Sequence, residues 1–220
     1  MFRVNDIFYS LQGEGHNTGR AAVFVRFAGC NLRCPFCDTE FDTYREMTAD
    51  EIVAEISDIV NSLQQIANPI QHFAVLTGGE PTLQVDEALV DLMHQHGFEV
   101  AMESNGTRPA PRNLDWLTVS PKVNGEWWLV SGEGRLPDEL KVVFDEDTDP
   151  ESFLPIPRQS STTHSLSPLI ASPLPILYLQ PCDTGDADRN ARIINRCIDY
   201  IKQHPNWRLS LQTHKLVGFK

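Results

Sequence analysis

Three cysteines lie within eight residues of one another, at Cys30, Cys34 and Cys37. Three thiolates at this spacing can bind three irons of a [4Fe-4S] cube, whereas the usual protein site supplies a fourth cysteine. The fourth iron is then left open to a ligand from outside the protein. The spacing therefore predicts a redox-active metal site.

Two other interpretations of the cysteines stay open at this point. A structural zinc site usually has four ligands, and the remaining cysteines, Cys182 and Cys197, are isolated and far along the chain. A disulfide framework fits poorly, because an odd count of 5 Cys in 220 residues is more typical of a reduced, cytosolic protein. A zinc site or a non-catalytic metal-binding module is kept as the alternative.

Composition indicates one enzyme domain that acts on a small molecule. A chain of 220 residues with 41% hydrophobic content can bury one core, so we expect a single domain over residues 1–220. The net charge of -12 argues against nucleic acid as a partner, because phosphate binding depends on Lys and Arg. Residues 1–11 alternate polar and apolar and contain no signal peptide or membrane span, which predicts a cytoplasmic protein.

The cysteines follow a predicted strand. Residues 22–28 form a β-branched and aromatic run between Gly19 and Gly29, so this strand delivers the cysteines to the loop beyond its carboxyl end. Catalytic loops of parallel α/β folds lie at that end of the strands. A capping box at Thr48 and Glu51 then starts a helix whose apolar residues recur at helical spacing through Leu63.

Strands and helices alternate along the rest of the chain. The pattern predicts strands at 73–76, 98–103, 116–119, 139–143 and 176–179, and a helix through residues 88–93 that Gly97 ends. A last helix, which ends before Pro205, is predicted to bury Ala187, Ala191, Ile194, Ile198 and Ile201 on one face. Cys197 also belongs to its apolar face, where a buried structural thiol is the ordinary interpretation.

This alternation predicts an α/β fold with a mostly parallel sheet and right-handed crossovers. Because too few units are visible to close an eight-stranded barrel, we expect an open partial (β/α) barrel. Residues 145–175 are rich in Pro, Ser and Thr and show no periodicity, so they are interpreted as a loop insertion with no assigned chemistry.

Two adjacent glycines follow the strand at 73–76, in the run Thr77-Gly78-Gly79-Glu80-Pro81. Such glycines let the backbone approach a ligand where any Cβ would clash, although a plain turn is the simpler interpretation of Gly-Gly alone. Combined with the CxxxCxxC loop and its Phe36 before the last cysteine, the pair resembles the radical S-adenosylmethionine superfamily. That resemblance implies that the amino and carboxylate groups of S-adenosylmethionine chelate the open iron, and that reduction releases a carbon radical.

Motifs along nearly the whole chain resemble one family within this superfamily, the 7-carboxy-7-deazaguanine synthases. They are Leu11–Gly15, Arg26 in its strand, Cys37–Thr39, Thr77–Pro81, Glu103–Thr107, Ser120–Lys122, Gln180–Pro181 and Leu211–Lys215. The resemblance implies a ring contraction of 6-carboxy-5,6,7,8-tetrahydropterin to 7-carboxy-7-deazaguanine with loss of ammonia, on the route to queuosine. S-adenosylmethionine then acts as a true cofactor, beside a [4Fe-4S] cluster and Mg²⁺.

The family resemblance also implies which residues contact each ligand. For the pterin they are Leu11, Gln12, Gly13, Glu14, Arg26, Thr77, His214 and the carboxylate of Lys220. For S-adenosylmethionine they are Phe36, Cys37, Asp38, Gly79, Ser104, Ser120, Pro121, Lys122, Gln180, Pro181, Cys182 and Asp183. The resemblance places Mg²⁺ at the hydroxyl of Thr39, together with substrate oxygens and water. A hard ion that keeps several waters fits such a sparse site.

Several of these residues have simpler interpretations. Arg26 offers a bidentate fork for a carboxylate, but it could be a surface arginine at an edge. Glu14 and Lys122 could be solvated, Thr39 could cap a loop, and a chain end is more often frayed than functional.

The resemblance further implies a homodimer and a flavodoxin or ferredoxin as the reductant. A glycyl-radical activating enzyme, which acts on a protein backbone, remains an alternative. It would share the cysteines and the glycine pair but would have no use for pterin contacts at Gln12, Arg26 and His214.

Overall fold

A computed structural model describes residues 1–37, 39–40, 42–63, 72–122, 135–154 and 174–219. Its strands are β1 (Phe2–Leu11), β2 (Ala21–Phe27), β3 (Arg45–Met47), β4 (His72–Gly78), β5 (Phe98–Ser104), β6 (Trp116–Val119), β7 (Glu139–Phe144), β8 (Ile176–Pro181) and β9 (Trp207–Leu209). Its helices are α1 (Ala49–Leu63), α2 (Glu87–Gln95), α3 (Ala187–Gln203) and α4 (Thr213–Val217).

All nine strands belong to one sheet, in the order β3-β1-β2-β4-β5-β6-β7-β8-β9. In this order, every neighbouring pair from β2 through β4 to β9 is parallel. Strand β1 pairs antiparallel with both of its neighbours, β2 and β3. The sheet ends at β3 and β9 and does not close. The predicted α/β class, mostly parallel sheet and open partial barrel are therefore confirmed.

The sheet has more strands than the sequence predicted. Strands β3 and β9 have three residues each, which is too short for a period of two to be recognised. The short helix α4 was also missed, because its five residues are too few for a helical repeat to be recognised. It lies beyond the helix that was expected to be the last one.

The core lies mainly between the sheet and its helices. Val23, Val25 and Phe27 of β2 are fully buried there with Ile52 and Ile56 of α1. The opposite sheet face buries a smaller cluster, formed by Ala22, Phe24, Phe73, Val75 and Ala101. Complete burial of one large apolar side chain contributes about 1.5–3 kcal/mol, so both faces of the central strands add to stability.

The predicted helix boundaries follow from side-chain caps. The backbone N–H of Thr48 donates to Glu51 Oε2 at 2.7 Å, and that of Glu51 donates to Thr48 Oγ1 at 3.2 Å, which confirms the capping box of α1. The Leu63 side chain lies outside the described part of this helix. Helix α2 is capped by Asp86, and Gly97 follows its end with a φ of 82°.

The predicted apolar face of α3 is wrong in part. Ala187 and Ala191 are exposed, whereas Ile193 and Cys197 are buried. Larger side chains determine which face packs, because an alanine methyl buries little area. The buried Cys197 agrees with the prediction of a structural thiol.

Only the ends of the predicted loop insertion at 145–175 lie within the described residues. They include one turn of 3₁₀ helix, Pro150–Phe153, which Asp149 caps. Residues 155–173 are outside the described ranges. No described helix is long and apolar enough to cross a bilayer.

A row of polar side chains crosses the sheet face that lines the interior of the partial barrel. Register pairs Arg26 with Thr77, Glu103 with Thr118, and Thr118 with Glu139. Since residues two apart on a strand share a face, the carboxyl ends of β2 and β5 and the start of β7 together present the charged Arg26, Glu103 and Glu139 to the interior.

Glu80 ties the end of β4 to the end of β5. Its side chain is fully buried and accepts hydrogen bonds from Ser104 Oγ at 2.8 Å, Asn105 N at 2.7 Å and Thr82 Oγ1 at 2.6 Å. We expect Glu80→Ala to lower the free energy of unfolding by about 3 kcal/mol or more, because it leaves several buried donors unpaired.

Anaerobic urea unfolding of the cluster-loaded protein measures this loss. Glu46→Ala, at an exposed position of β3, is the matched control and should change stability by less than about 0.5 kcal/mol. Equal effects of the two substitutions would show that the Glu80 network does not stabilise the fold.

Candidate active site

Two adjoining cavities open at the carboxyl ends of the parallel strands, with volumes of about 220 and 430 Å³. We name the first the cysteine chamber, because Cys30, Cys34 and Cys37 line it, and the second the arginine chamber, because Arg26 lines it. Residues that line both are Glu14, Thr39, Thr77, Glu103, Gln212 and Lys215. The chambers therefore form one cleft with a shared wall.

The cysteine loop brings its three thiols to one chamber. Gly29 turns the chain after β2 with a φ of 84°, and the N–H of Cys37 donates to Cys34 O at 3.1 Å. Burial raises the pKa of the Cys34 thiol, and the nearby Lys122 ammonium acts in the opposite direction.

The thiols fit an iron–sulfur cube better than a single ion. Among the described residues, no three His, Cys, Asp or Glu side chains are arranged to hold one metal ion. Three corners of a cube separate their sulfurs more widely than the ligands of one zinc are separated. The thiols of Cys30, Cys34 and Cys37, which one loop brings to this chamber, thus suit a cluster with an open iron.

The glycine pair packs against the cysteine loop. A Cβ on Gly79 would lie 2.0 Å from Gly29 O, and one on Gly78, whose φ is 117°, would lie 2.4 Å from Phe27 O. The N–H of Gly79 donates to Phe27 O at 2.9 Å. Both positions therefore need glycine because the two loops pack backbone to backbone. The sequence predicted a different reason, the approach of a ligand. Both glycines also line the cysteine chamber.

Most residues expected at S-adenosylmethionine share the cysteine chamber. Those that line it are Phe36, Cys37, Gly79, Ser104, Ser120, Lys122, Gln180, Pro181, Cys182 and Asp183. Pro121 is buried and is not one of the lining residues. Asp38 lies outside the described residues. Their contacts with the cofactor remain predictions.

Lys122 is not a solvated lysine. Its Nζ donates to Ser120 Oγ at 2.7 Å and lies 5.9 Å from the centroid of the Phe36 ring. Burial lowers its pKa, and repulsion from Lys141 lowers it further. The ammonium is therefore held at the wall of the chamber beside the cysteine loop.

The arginine chamber collects the residues expected at the pterin. Leu11, Gln12, Gly13, Glu14, Arg26, Thr77 and His214 all line it, whereas Lys220 lies outside the described residues. Arg26 is half-buried on β2, which lies between β1 and β4, so the alternative of an edge arginine is wrong. Its guanidinium carbon lies 5.3 Å from the centroid of the Phe8 ring.

Gln12 has much of its amide committed within the protein. Its Nε2 donates to Glu103 Oε1 at 3.1 Å, and its Oε1 accepts from Glu14 N at 3.1 Å. These two bonds fix the turn after β1. Within the described residues, one amide N–H stays available for a ligand.

A buried ion cluster joins the two chambers, and its central residue, Lys141, was not predicted from the sequence. Lys141 Nζ lies 2.5 Å from Glu14 Oε2 and 3.6 Å from Glu103 Oε1. The side chain is 5% exposed. Burial acts to lower its pKa, but the carboxylates around it raise the pKa instead. A lysine followed by the apolar residues of strand β7 was the available signal.

The Glu14 side chain is only 16% exposed and is paired with Lys141, so the alternative of a solvated glutamate is wrong. Its second oxygen accepts from Gln212 Nε2 at 3.1 Å. Burial acts to raise the pKa of Glu14, but attraction and hydrogen bonding to Lys141 prevail and lower it to about 2. The carboxylate is thus ionised at neutral pH.

The C-terminal segment folds back over the cleft. The N–H and Oγ1 of Thr213 donate to Gly13 O at 3.0 and 2.8 Å, and Gly15 N donates to Ser210 Oγ at 3.0 Å. Lys215 Nζ pairs with Asp183 Oδ2 at 2.9 Å. The segment therefore joins the turn after β1 to the loop after β8, and its contact with substrate remains a prediction.

Removing the buried Lys141 ammonium should leave the carboxylates of Glu14 and Glu103 without a counter-charge. We expect Lys141→Met to lower the free energy of unfolding by about 3–5 kcal/mol. Anaerobic calorimetry of the substituted and unsubstituted proteins tests this, with the exposed Lys202 on α3, changed to Met, as control. A Lys141→Met protein as stable as that control would mean that the ion cluster makes no net contribution.

Comparison with known proteins identifies the family. A family model described as the Radical SAM superfamily matches residues 24–121. The 7-carboxy-7-deazaguanine synthase of Bacteroides thetaiotaomicron is 40% identical over 220 residues and covers 100% of both chains. The protein of the same name from Bradyrhizobium diazoefficiens is 40% identical over 235 aligned positions, which cover 100% of this chain and 99% of that protein.

A solved structure agrees with these matches. The crystal structure of QueE from Escherichia coli superposes with a TM-score of 0.67 at 28% identity, covering 97% of this chain and 94% of that one. The chain therefore belongs to the 7-carboxy-7-deazaguanine synthase family of the radical S-adenosylmethionine superfamily.

Proposed function

We propose that the chain is a lyase that contracts the ring of 6-carboxy-5,6,7,8-tetrahydropterin to give 7-carboxy-7-deazaguanine and ammonia, in queuosine biosynthesis. The observation that carries the proposal is identity of 40% over the full length of proteins named for this product. A cleft that places three cysteines beside a chamber containing Arg26 supports the same chemistry.

Cys30, Cys34 and Cys37 are the thiols that hold three irons of the cluster. When bound, the [4Fe-4S] cluster and S-adenosylmethionine supply the electron and the carbon radical that takes hydrogen from the substrate. Ser104, Ser120 and Lys122 then offer polar groups at the wall where the amino-acid portion of the cofactor is expected.

Arg26 is the group best suited to the substrate carboxylate. Its guanidinium can donate two parallel hydrogen bonds to a carboxylate, and the Phe8 ring restricts the guanidinium on one side. This bidentate contact fixes the orientation of the pterin within the arginine chamber.

Glu103 is better placed than Glu14 to accept from the guanidine-like edge of the pterin. The Glu103 side chain is 26% exposed, against 16% for Glu14. Both carboxylates accept hydrogen bonds at each oxygen, but Glu14 is tied to the Lys141 ammonium at 2.5 Å, whereas Glu103 lies 3.6 Å from it and otherwise accepts from the neutral Gln12 and Thr77. We therefore assign the ring contact to Glu103, with Glu14 as the residue that holds the shared wall in place.

The C-terminal segment excludes water from the reacting centre. Gln212, His214, Lys215 and Phe219 line the arginine chamber. A carbon radical needs such shielding from competing reactions, so this segment supports the chemistry even where it does not contact the pterin.

Several expectations from the sequence remain part of the proposal. Thr39, which lines both chambers, is proposed as the Mg²⁺ ligand together with substrate oxygens and water. A flavodoxin or ferredoxin reductant, a homodimer, one domain over residues 1–220 and a cytoplasmic location are proposed on the family resemblance and composition alone.

Product formation tests the assignment directly. The cluster-loaded protein is supplied anaerobically with S-adenosylmethionine, Mg²⁺, a strong reductant and the carboxytetrahydropterin, and products are followed by mass spectrometry. We expect 7-carboxy-7-deazaguanine without proportional consumption of S-adenosylmethionine. Accumulation of 5′-deoxyadenosine alone would support the radical S-adenosylmethionine chemistry but refute the substrate assignment.

Iron and sulfide content tests the cluster ligands. We expect each of three substitutions to remove most of the bound iron and sulfide, because two thiolates do not hold a cube stably. The substitutions are Cys30→Ala, Cys34→Ala and Cys37→Ala. Cys197→Ala changes a thiol buried in the core and should retain the cluster. Retention of iron by any of the first three variants would contradict its role as a ligand.

Arg26→Gln tests the carboxylate contact and separates this function from that of a glycyl-radical activase. We expect kcat/KM for the pterin to fall at least about 100-fold, since a charge-assisted bidentate contact is worth about 3 kcal/mol. Binding of S-adenosylmethionine should be unchanged. Arg192→Gln on the exposed face of α3 is the control, and equal kcat/KM for both variants would refute the assignment.

A further inference from the structure

Glu139 is a buried carboxyl group for which the proposed chemistry has no use. It is 1% exposed at the start of β7. One oxygen, Oε2, accepts from His16 N at 2.9 Å. The other, Oε1, has no hydrogen-bond partner among the described residues. A buried carboxylate in this state is costly, because ionised groups in the interior need a counter-charge.

The charged groups nearby do not supply that counter-charge. Lys141, two residues along the same strand face, is already paired with Glu14 and Glu103. If Glu139 were also ionised, three carboxylates would surround one ammonium. Burial raises the pKa of Glu139 to about 7, against the attraction of Lys141 and the hydrogen bond from His16 N, and the negative charges of Glu103 and Glu14 act in the same direction as burial.

Glu139 also supports the turn that follows β1. A Cβ on Gly15, whose φ is 65°, would lie 2.1 Å from Glu139 Oε1, so the carboxyl group packs directly against that glycine. The bond to His16 N holds the next residue of the chain, and the His16 ring stacks on Trp116 at 4.6 Å between centroids. The same turn carries Glu14.

We propose that Glu139 is a positioning residue that works as a neutral carboxylic acid. In this form it holds the turn at Gly15 and His16 and leaves Lys141 committed to Glu14 and Glu103. When it ionises, its negative charge competes for Lys141 and loosens the wall shared by the two chambers.

The effect of Glu139 on substrate binding rests on the proposed function. The pterin brings a further carboxylate into the cleft, so it binds better when Glu139 is neutral. Binding near neutral pH should therefore be accompanied by proton uptake, and affinity should fall as pH rises above 7.

The first test needs no substrate. A raised pKa in the folded state means that the native protein binds more protons than the unfolded chain between the ordinary carboxyl pKa and 7, so stability is lost as pH rises through this range. Glu139→Gln keeps the shape and the acceptor for His16 N but cannot ionise.

Anaerobic thermal unfolding of the cluster-loaded proteins is measured from pH 5 to 8.5. We expect the melting temperature of Glu139→Gln to rise relative to the unsubstituted protein by at least about 5 °C across this range. Glu46→Gln, at the exposed position on β3, should show no such trend. A constant difference between Glu139→Gln and the unsubstituted protein would overturn the proposal.

The second test measures the unsubstituted protein first, so it does not depend on the folding of a variant. Calorimetric titration with the carboxytetrahydropterin in buffers of different ionisation enthalpy should show proton uptake near pH 7. The dissociation constant should rise about tenfold between pH 6.5 and 8.5, and Glu139→Gln should abolish both effects. Tighter binding at high pH, or equal proton uptake by Glu139→Gln, would refute the proposal.

The two tests separate failure of this proposal from failure of the proposed function. If the pterin does not bind at all while the pH-dependent stability difference is present, the substrate assignment is wrong and the neutral Glu139 is retained. If the pterin binds and is converted while the stability difference is absent, the function stands and Glu139 has no such role.

Discussion

The buried ammonium of Lys141 is the constraint on which the cleft depends. A positive charge in the interior is stable only where carboxylates approach it closely, and its partners come from the turn after β1 and from the end of β5. Glu14 then holds Gln212 of the C-terminal segment. One ion cluster thus joins the first strand, the middle of the sheet and the end of the chain, and it forms the wall between the two chambers.

The cysteine loop is positioned by a different kind of interaction. Gly79 contacts the backbone of Gly29 so closely that no side chain fits between them, and the next residue, Glu80, hydrogen-bonds the end of β5. Close backbone packing and a buried carboxylate therefore fix neighbouring loops at the same edge of the sheet. A site that generates a radical needs this rigidity, because misplaced groups lose much of the rate.

Local patterns predicted most of the fold, and the family resemblance indicated many of the residues that line the two chambers. The capping box of α1, the strand before the cysteines and the motif residues were recognisable because each signal lies within a few positions. The role of Lys141 was not, since its partner Glu14 is 127 residues away. The face of α3 was also mispredicted in part, because tertiary packing buries Ile193 and leaves the small Ala187 and Ala191 exposed. Long-range pairing is the information that periodicity lacks.

With the cofactor and substrate in the proposed chambers, the shared wall links the two sites energetically. Thr77 Oγ1 donates to Glu103 Oε2 at 3.1 Å, and Gln12 Nε2 donates to the other oxygen, so a ligand that moves Glu103 in one chamber changes groups that line the other. Lys215 also lines both chambers and pairs with Asp183, which lines the cysteine chamber. Coupling between two sites requires a structural element whose conformation both ligands affect. The Glu103 carboxylate is such an element, because it contacts residues from three separate strands and turns while remaining open to both chambers.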